Sequence, residues 1–503
     1  MQKEADPDDG EEHQPATGRD GHAPATKFRL TIHGDQVDAA DGATYDLIDP
    51  ATEAYLASAP AASVADVDRA VESAAKAFEP WRHLPLQTRV KYVRDAIDAI
   101  QEHSEELALL DALDSGNPIA SMRIDAAIVR EKIVAALDWA TALRGEVVPG
   151  IPDHLHYTEY EPYGVVARIT PFNHPLLVTA HSLIPLIVGN TVVVKTPDQA
   201  PLSGLRIGEI LSDILPPGVF NVLSGIGPVA GDALVRHRKV RRIAFTGSVA
   251  IGQTILRSAA ETGVKRVSLE LGGKNALIIF PDADIPAAAA AAVRGMSFRT
   301  AGQSCASTSR LLVHESVVEE VIARVKADAE SYQIGDPLDE ETQMGTVISQ
   351  AQYEKVLRYI ELGQSQGGQL VTGGGRPNDA PEKGYYVSPT VLRNIEPDNQ
   401  LAREEVFGPV LSVMTFRDEE EAIKIANDSD LGLTSSLWSG DLARAQRMAR
   451  KIEAGYVWIN TGPALYAGMP FGGFKNSGLE RAEDIEELYS YMQVKSINVR
   501  LGS

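Results

Sequence analysis

The chain of 503 residues holds one cysteine, Cys305, set in Gly302-Gln303-Ser304-Cys305-Ala306-Ser307. A lone cysteine is ordinarily a small core residue, but these neighbours are small and polar, unlike a packed interior. Such a thiol becomes a nucleophile when a base or dipole favours the thiolate and a substrate has room to approach. Glu270 is placed to assist. It ends a β-branched run and precedes Leu271-Gly272-Gly273-Lys274, and a carboxylate at the C-terminal end of a parallel strand faces the crevice where such sheets bind ligands. An ordinary salt bridge is the competing reading for Glu270. Nucleotide signals lie nearby. Gly225-Ile226-Gly227-Pro228-Val229-Ala230-Gly231 is one residue too long for the G-x-G-x-x-G fingerprint. Phe245-Thr246-Gly247-Ser248 leads through Gly252 into a helical pattern, a junction that presents backbone N–H groups to a phosphate. Lys195 and Asp198 follow the run Thr191–Val194 and suit ribose hydroxyls. Taken singly, each of these also reads as a plain tight turn or a surface charge.

The elements that must position these residues follow from periodicity. Short β-branched runs at Val165–Ile169, Thr191–Val194, Phe220–Leu223, Arg242–Phe245 and Val267–Leu271 alternate with helical stretches. That spacing predicts βαβ units and a parallel sheet covered by helices on both faces. Ala276–Phe280 opens a second α/β region reaching roughly to Phe474. Upstream, Arg29 to Val37 alternates around Gly34-Asp35, a hairpin signal. Ser63 with Asp66 caps a helix whose inner face is Val64, Val67, Val71, Ala74 and Phe78. A second helix carries Val90, Val93, Ile97 and Ile100 at the same spacing. The run Ala287–Ala292 reads as a close-packed helix. Leu155–Glu161 and Val494–Leu501 alternate like strands at the limits of the α/β pattern, as edge strands of one subunit or as pairing surfaces for a second chain.

Composition bounds the function. Forty-seven basic against 69 acidic residues give a net charge of −22, which excludes the basic face that nucleic-acid or anionic-membrane partners require. One cysteine excludes an internal disulfide and a cysteine-rich metal site, and no metal is expected. The most apolar stretch, Leu176–Val194, is broken by His181, Pro185 and Gly189-Asn190, so no membrane span is expected. Residues 1–26, rich in Asp, Glu and Pro, predict a solvated flexible tail. The start is too acidic for a transit peptide, and a cytoplasmic location is expected.

The motifs converge. Pro171-Phe172-Asn173-His174-Pro175, Val194-Lys195-Thr196-Pro197-Asp198, Phe245-Thr246-Gly247-Ser248, Glu270-Leu271-Gly272-Gly273-Lys274, Gly302-Gln303-Ser304-Cys305, Glu405-Val406-Phe407-Gly408-Pro409 and Pro470-Phe471-Gly472-Gly473 occur in this order. From about Phe28 to Leu501 the chain resembles the aldehyde dehydrogenase superfamily. The resemblance implies an α/β fold of three parts: a Rossmann-like cofactor domain (27–147 and 165–270), an α/β catalytic domain (271–483), and a small β bridging or oligomerisation domain (148–164 and 484–503). It also implies a homodimer or homotetramer.

By the same resemblance Cys305 is the nucleophile, Asn173 an oxyanion donor and Glu270 the general base, acting through a thiohemiacetal and a thioester. Lys195 and Asp198 match the adenosine-ribose pair, Gly247, Ser248 and Gly252 the pyrophosphate turn, and Gly227 and Gly231 the adenosine side. Phe172, Leu271, Glu405 and Phe407 complete the cofactor set near the nicotinamide. A carboxylate at Asp198 repels a 2′-phosphate, which favours NAD over NADP. The substrate wall falls at His174, Val178, His181, Arg299, Thr461, Leu465 and Phe471. Arg299 matches an arginine that meets a substrate carboxylate in succinate-semialdehyde members, so a polar or anionic small-molecule aldehyde is expected. Many members carry a glutamate where this chain has Ala482, which implies that a supporting acid is absent or displaced to Glu483. A CoA-acylating relative and a non-catalytic protein keeping the fold are the competing functions. Glu270 argues against the first, since acylating relatives commonly lack it. The joint presence of Cys305, Glu270 and Asn173 argues against the second.

Overall fold

The computed structural model describes residues 27–501; the tail expected over 1–26 lies outside the described residues. Two parallel sheets organise the chain. In the first, five parallel strands lie in the order Phe220–Leu223, Thr191–Lys195, Val165–Ile169, Val240–Thr246 and Arg266–Glu270. In chain order that is 3-2-1-4-5, so the direction of winding reverses between Val165–Ile169 and Val240–Thr246, where doubly wound sheets open a ligand crevice. The middle strands read Val-Val-Ala-Arg-Ile and Thr-Val-Val-Val-Lys and are almost wholly buried, as expected where helices cover both faces. Antiparallel strands close the two edges: Leu30–Ile32 with Asp35–Val37, and the two-residue strand Gly478–Leu479 against Glu270.

The second sheet runs Gln369–Thr372, Thr390–Arg393, Val410–Phe416, Arg310–His314, Ala276–Ile279, Thr434–Trp438 and Tyr456–Ile459, parallel except for its first strand. The sheets have separate hydrophobic cores, and the chain passes from one core to the other between Leu271 and Ala276.

Local sequence explains the helices that frame the site. Ser63 Oγ accepts from the Asp66 N–H while Asp66 accepts from the Ser63 N–H at 2.9 Å, a capping box at Val64–Arg82. Val67, Val71 and Ala74 are fully buried, whereas Val64 is exposed. Helix Ser104–Ser115 sends two buried carboxylates to the starts of other helices. Asp111 accepts from the Leu176 N–H at 3.0 Å and Asp114 from the Leu202 N–H at 2.9 Å, satisfying orphan donors of Pro175–His181 and Leu202–Ser212. The first of these contacts fixes the helix that Asn173 and His174 precede.

Two expectations shift. The hairpin turns at His33-Gly34 rather than Gly34-Asp35, because His33 (φ +62°) and Gly34 (φ +84°) supply the two left-handed residues and Ile32 pairs with Asp35. The surplus residue in the glycine run appears as a π-helical turn over Gly227–Gly231, which accommodates one residue more than an α-turn. The two alternating segments form strands, His154–Pro162 and Met492–Arg500, and pair antiparallel along their whole length within one chain.

Candidate functional site

A cavity of about 400 Å³ lies where the two sheets meet. Asn173 reaches it from the loop after Val165–Ile169, Glu270 from the end of Arg266–Glu270, and Cys305 from the loop before Arg310–His314. The cysteine loop is held by its carbonyls. Asn275 Nδ2 donates to the carbonyls of Cys305 (2.7 Å) and Ser307 (2.9 Å), and its Oδ1 accepts from the Thr434 N–H at 2.9 Å. Cys305 is half-buried and packs against the cluster of Leu433, Tyr456, Trp458 and Phe471. Burial, with Glu405 and Glu270 adding negative charge, pushes its thiol up to about 12.

Asn173 is fixed at both ends. Its Nδ2 donates to the Gln303 carbonyl at 2.9 Å, and its carbonyl accepts from Asn117 at 3.2 Å. One amide hydrogen is left for another acceptor. Glu270 Oε2 is buried with no hydrogen-bond partner among the described residues. Burial drives this carboxyl well above the ordinary range, opposed by the Arg481 guanidinium. Segment 471–482 ties Glu270 to the short strand Leu431–Gly432, just before strand Thr434–Trp438 of the second sheet. Ser477 accepts from the Leu271 N–H through its carbonyl (2.9 Å), donates its hydroxyl to the Gly272 carbonyl (2.7 Å), and accepts there from the Gly432 N–H (2.9 Å).

The residues expected to hold the cofactor come from the strand ends of the first sheet and, for Glu405 and Phe407, from the loop before Val410–Phe416 of the second. Lys195 is 3% exposed at the end of its strand, its ammonium destabilised by burial and supported by the exposed carboxylate of Asp198. A Cβ at Gly227 or Gly231 would meet no atom within 4 Å, whereas at Gly247 it would overlap the Phe245 ring and at Gly252 it would press on Leu271. Ser248 Oγ caps Val249–Thr262. Glu405 Oε1 accepts from the Gly273 N–H at 2.9 Å, and burial raises its carboxyl. Phe172 and Phe407 meet edge to face, 5.7 Å between ring centroids, with Phe407 held at φ +55°. A lysine–carboxylate pair, open glycines and a backbone-anchored glutamate along one crevice fit a dinucleotide.

Of the expected substrate wall, His174, Val178, His181, Arg299, Leu465 and Phe471 line the cavity. Thr461 does not; its carbonyl accepts from Ser436 Oγ at 3.0 Å instead. His181 lies deep, between Arg168 (3.4 Å) and Glu487 (3.6 Å), and burial keeps its imidazole neutral. Burial likewise pushes Glu487 up to about 7. Two acids shortly after Ala482 in the chain, Glu483 and Glu487, line the cavity. Glu483 pairs with Lys132, and its N–H donates to Glu487 at 2.8 Å. Sequence reasoning missed Asn275, Ser477, Glu487, Arg294 and Asp125. Only Arg294, five residues before Arg299 near the end of helix Ile285–Gly295, carried a signal in its position. No cluster of metal-ligating side chains occurs among the described residues, and no helix among them is long and apolar enough to cross a membrane.

Known proteins share this sequence and fold. The aldehyde dehydrogenase tropH of Talaromyces stipitatus is 45% identical over 470 residues, covering 91% of this chain and 90% of the relative. A mitochondrial aldehyde dehydrogenase of Leishmania tarentolae is 40% identical, covering 93% and 94%. The solved NAD+ complex of a Bacillus cereus aldehyde dehydrogenase superposes with a TM-score of 0.92 at 38% identity, covering 95% of this chain and 97% of that one. With residues 37–497 also matching the family as a whole, the chain belongs to the aldehyde dehydrogenase family.

Proposed function

We propose that the protein oxidises an aldehyde to a carboxylic acid with NAD as electron acceptor, through a thioester on Cys305. The supporting observation is one cavity carrying a cysteine and a neutral amide donor from two loops and a buried carboxylate from a strand end. In the free protein the thiol is protonated, so nucleophilic attack requires that its proton be lost. As the thiolate adds to the carbonyl, the remaining amide hydrogen of Asn173 and the Cys305 N–H meet the developing alkoxide, each such donor contributing about 3 kcal/mol. The NAD held by Lys195, Asp198, Gly227, Gly231, the Gly247–Ser248–Gly252 turn, Leu271, Glu405, Phe407 and Phe172 supplies the hydride acceptor. Glu270 then takes a proton from water as that water releases the acid. A carboxyl raised by burial is a stronger base than an ordinary one, which suits this role.

The substrate is polar or anionic. Arg294 and Arg299 both line the cavity, and neither side chain has an ion-pair partner among the described residues. NADH formation over an aldehyde panel, with and without CoA, tests the activity and distinguishes water from CoA as acyl acceptor. Comparing kcat/KM for a carboxylate-bearing and a neutral aldehyde, before and after Arg299→Ala, tests the charge. Equal losses on both substrates would remove it.

Parts 27–147 with 165–270 and 271–483 act as cofactor and catalytic domains in this reading. The sheet of Met492–Arg500, His154–Pro162 and Val147–Val148 bridges copies of the chain. Support comes from the sheet edge at Met492–Arg500, which carries exposed Val494. Light scattering of the protein, with Val494→Lys weakening the assembly, checks it.

A further inference from the structure

The imidazole of His174 lines the cavity together with the apolar Pro171, Leu177, Val178 and Leu465. His174 is the N-cap residue of Pro175–His181, yet its side chain makes no capping bond; Asp111 serves that helix instead. The ring turns to Asp125, with Nδ1 2.5 Å from Oδ2. Asp125, on helix Ile119–Ala140, is 1% exposed. A buried carboxylate accepts, so Nδ1 carries the proton, and the ring plane is set. Nε2 then faces the cavity side and has no hydrogen-bond partner among the described residues. His174 directly follows Asn173, and both line the cavity.

We propose that His174, positioned by Asp125, is a specificity residue that takes a hydroxyl group on the aldehyde substrate. The inference rests on the aldehyde-oxidising reading and narrows its substrate class to hydroxyaldehydes. A hydroxyl suits Nε2 in either protonation state, because it donates to a bare nitrogen and accepts from an N–H. A carboxylate at the same place would face Asp125. An unanswered polar nitrogen also penalises a plain alkyl chain, which strips its water and returns no hydrogen bond.

The test is the ratio of kcat/KM between each hydroxyaldehyde and its parent: glycolaldehyde against acetaldehyde, and 3-hydroxypropanal against propanal. The protein favours the hydroxyl in at least one pair by roughly ten-fold, the size of one net hydrogen bond. His174→Phe brings that ratio towards one, His174→Gln restores part of it, and Asp125→Asn lowers it with the ring retained. Should the phenylalanine strand Asp125 and spoil folding, the double variant H174F/D125N removes the buried charge and gives the same readout. No preference in the wild type, or an unchanged ratio in His174→Phe, overturns the inference. Failure of the underlying reading looks different: no NADH from any aldehyde.

Discussion

Two pairs of glycines, one beside the first sheet and one beside the cysteine, do opposite things. At Gly227 and Gly231, beside the first sheet, an added Cβ meets nothing within 4 Å. Around the cysteine it meets backbone. At Gly302 (φ +70°) it overlaps the Gly408 carbonyl, and at Gly273 it presses on the Cys305 carbonyl and the Asn275 side chain. The first pair leaves room beside the backbone, as close approach of a ligand requires. The second set uses the missing side chain to bring two stretches of this chain together. One region is shaped to receive a molecule and the other to keep a nucleophile still, which is what preorganised catalysis demands.

Substitutions of the three cavity residues, where the two regions meet, have the largest expected effects. Cys305→Ala loses turnover on the order of 10⁴-fold or more, measured as NADH production. Glu270→Gln loses about 10²–10⁴-fold in turnover while a first burst of NADH persists, since release of the acid is the blocked step. A lost burst would assign Glu270 to activation of Cys305 alone. Asn173→Ala costs about 10²–10³-fold in kcat. On the pH axis, a buried carboxyl that binds its proton well above the ordinary range must lose it to act as base. The rate therefore falls with decreasing pH at a higher pH than a solvated carboxylate gives, and that limb disappears in Glu270→Gln.

The smallest effects separate the two glycine classes. Gly302→Ala, strained at φ +70° and overlapping backbone, lowers stability by about 1–3 kcal/mol and reduces kcat, read by thermal melting and initial rates. Gly231 sits at φ −66°, a conformation alanine adopts freely, so Gly231→Ala leaves the melting temperature unchanged or raises it slightly. Its effect is a several-fold increase in KM for NAD. A fall in Tm for Gly231→Ala, or none for Gly302→Ala, would break the distinction.

What was legible in the sequence was whatever one short segment carries. The five β-branched runs became the five parallel strands of the first sheet, and Ser63 with Asp66 closed its capping box, because each depends on neighbours a few residues away. Cys305, Glu270 and Asn173 were legible by type and local motif, and all three line one cavity. Asn275 was not. It acts on backbone carbonyls at 305 and 307 and on the N–H of Thr434, 159 residues on, and carbonyls have no sequence signature. The Asp125–His174 contact joins residues 49 apart on different elements, which helical periodicity does not mark. Thr461 was misplaced because alignment by motif follows the chain, whereas its carbonyl turns to Ser436.

The staple made by Ser477 has a consequence for how the protein is made. Ser477 lies 205 residues after the glycine it holds, and the strand beside it, Gly478–Leu479, is the last partner of Arg266–Glu270 in the first sheet. During synthesis that sheet waits with one edge unpaired while the entire second sheet is produced. An open edge is a template for pairing with other chains, and delay multiplies the exposure. Glu270 ends that waiting edge, so the proposed catalytic base is among the last parts of the first sheet to reach its final surroundings.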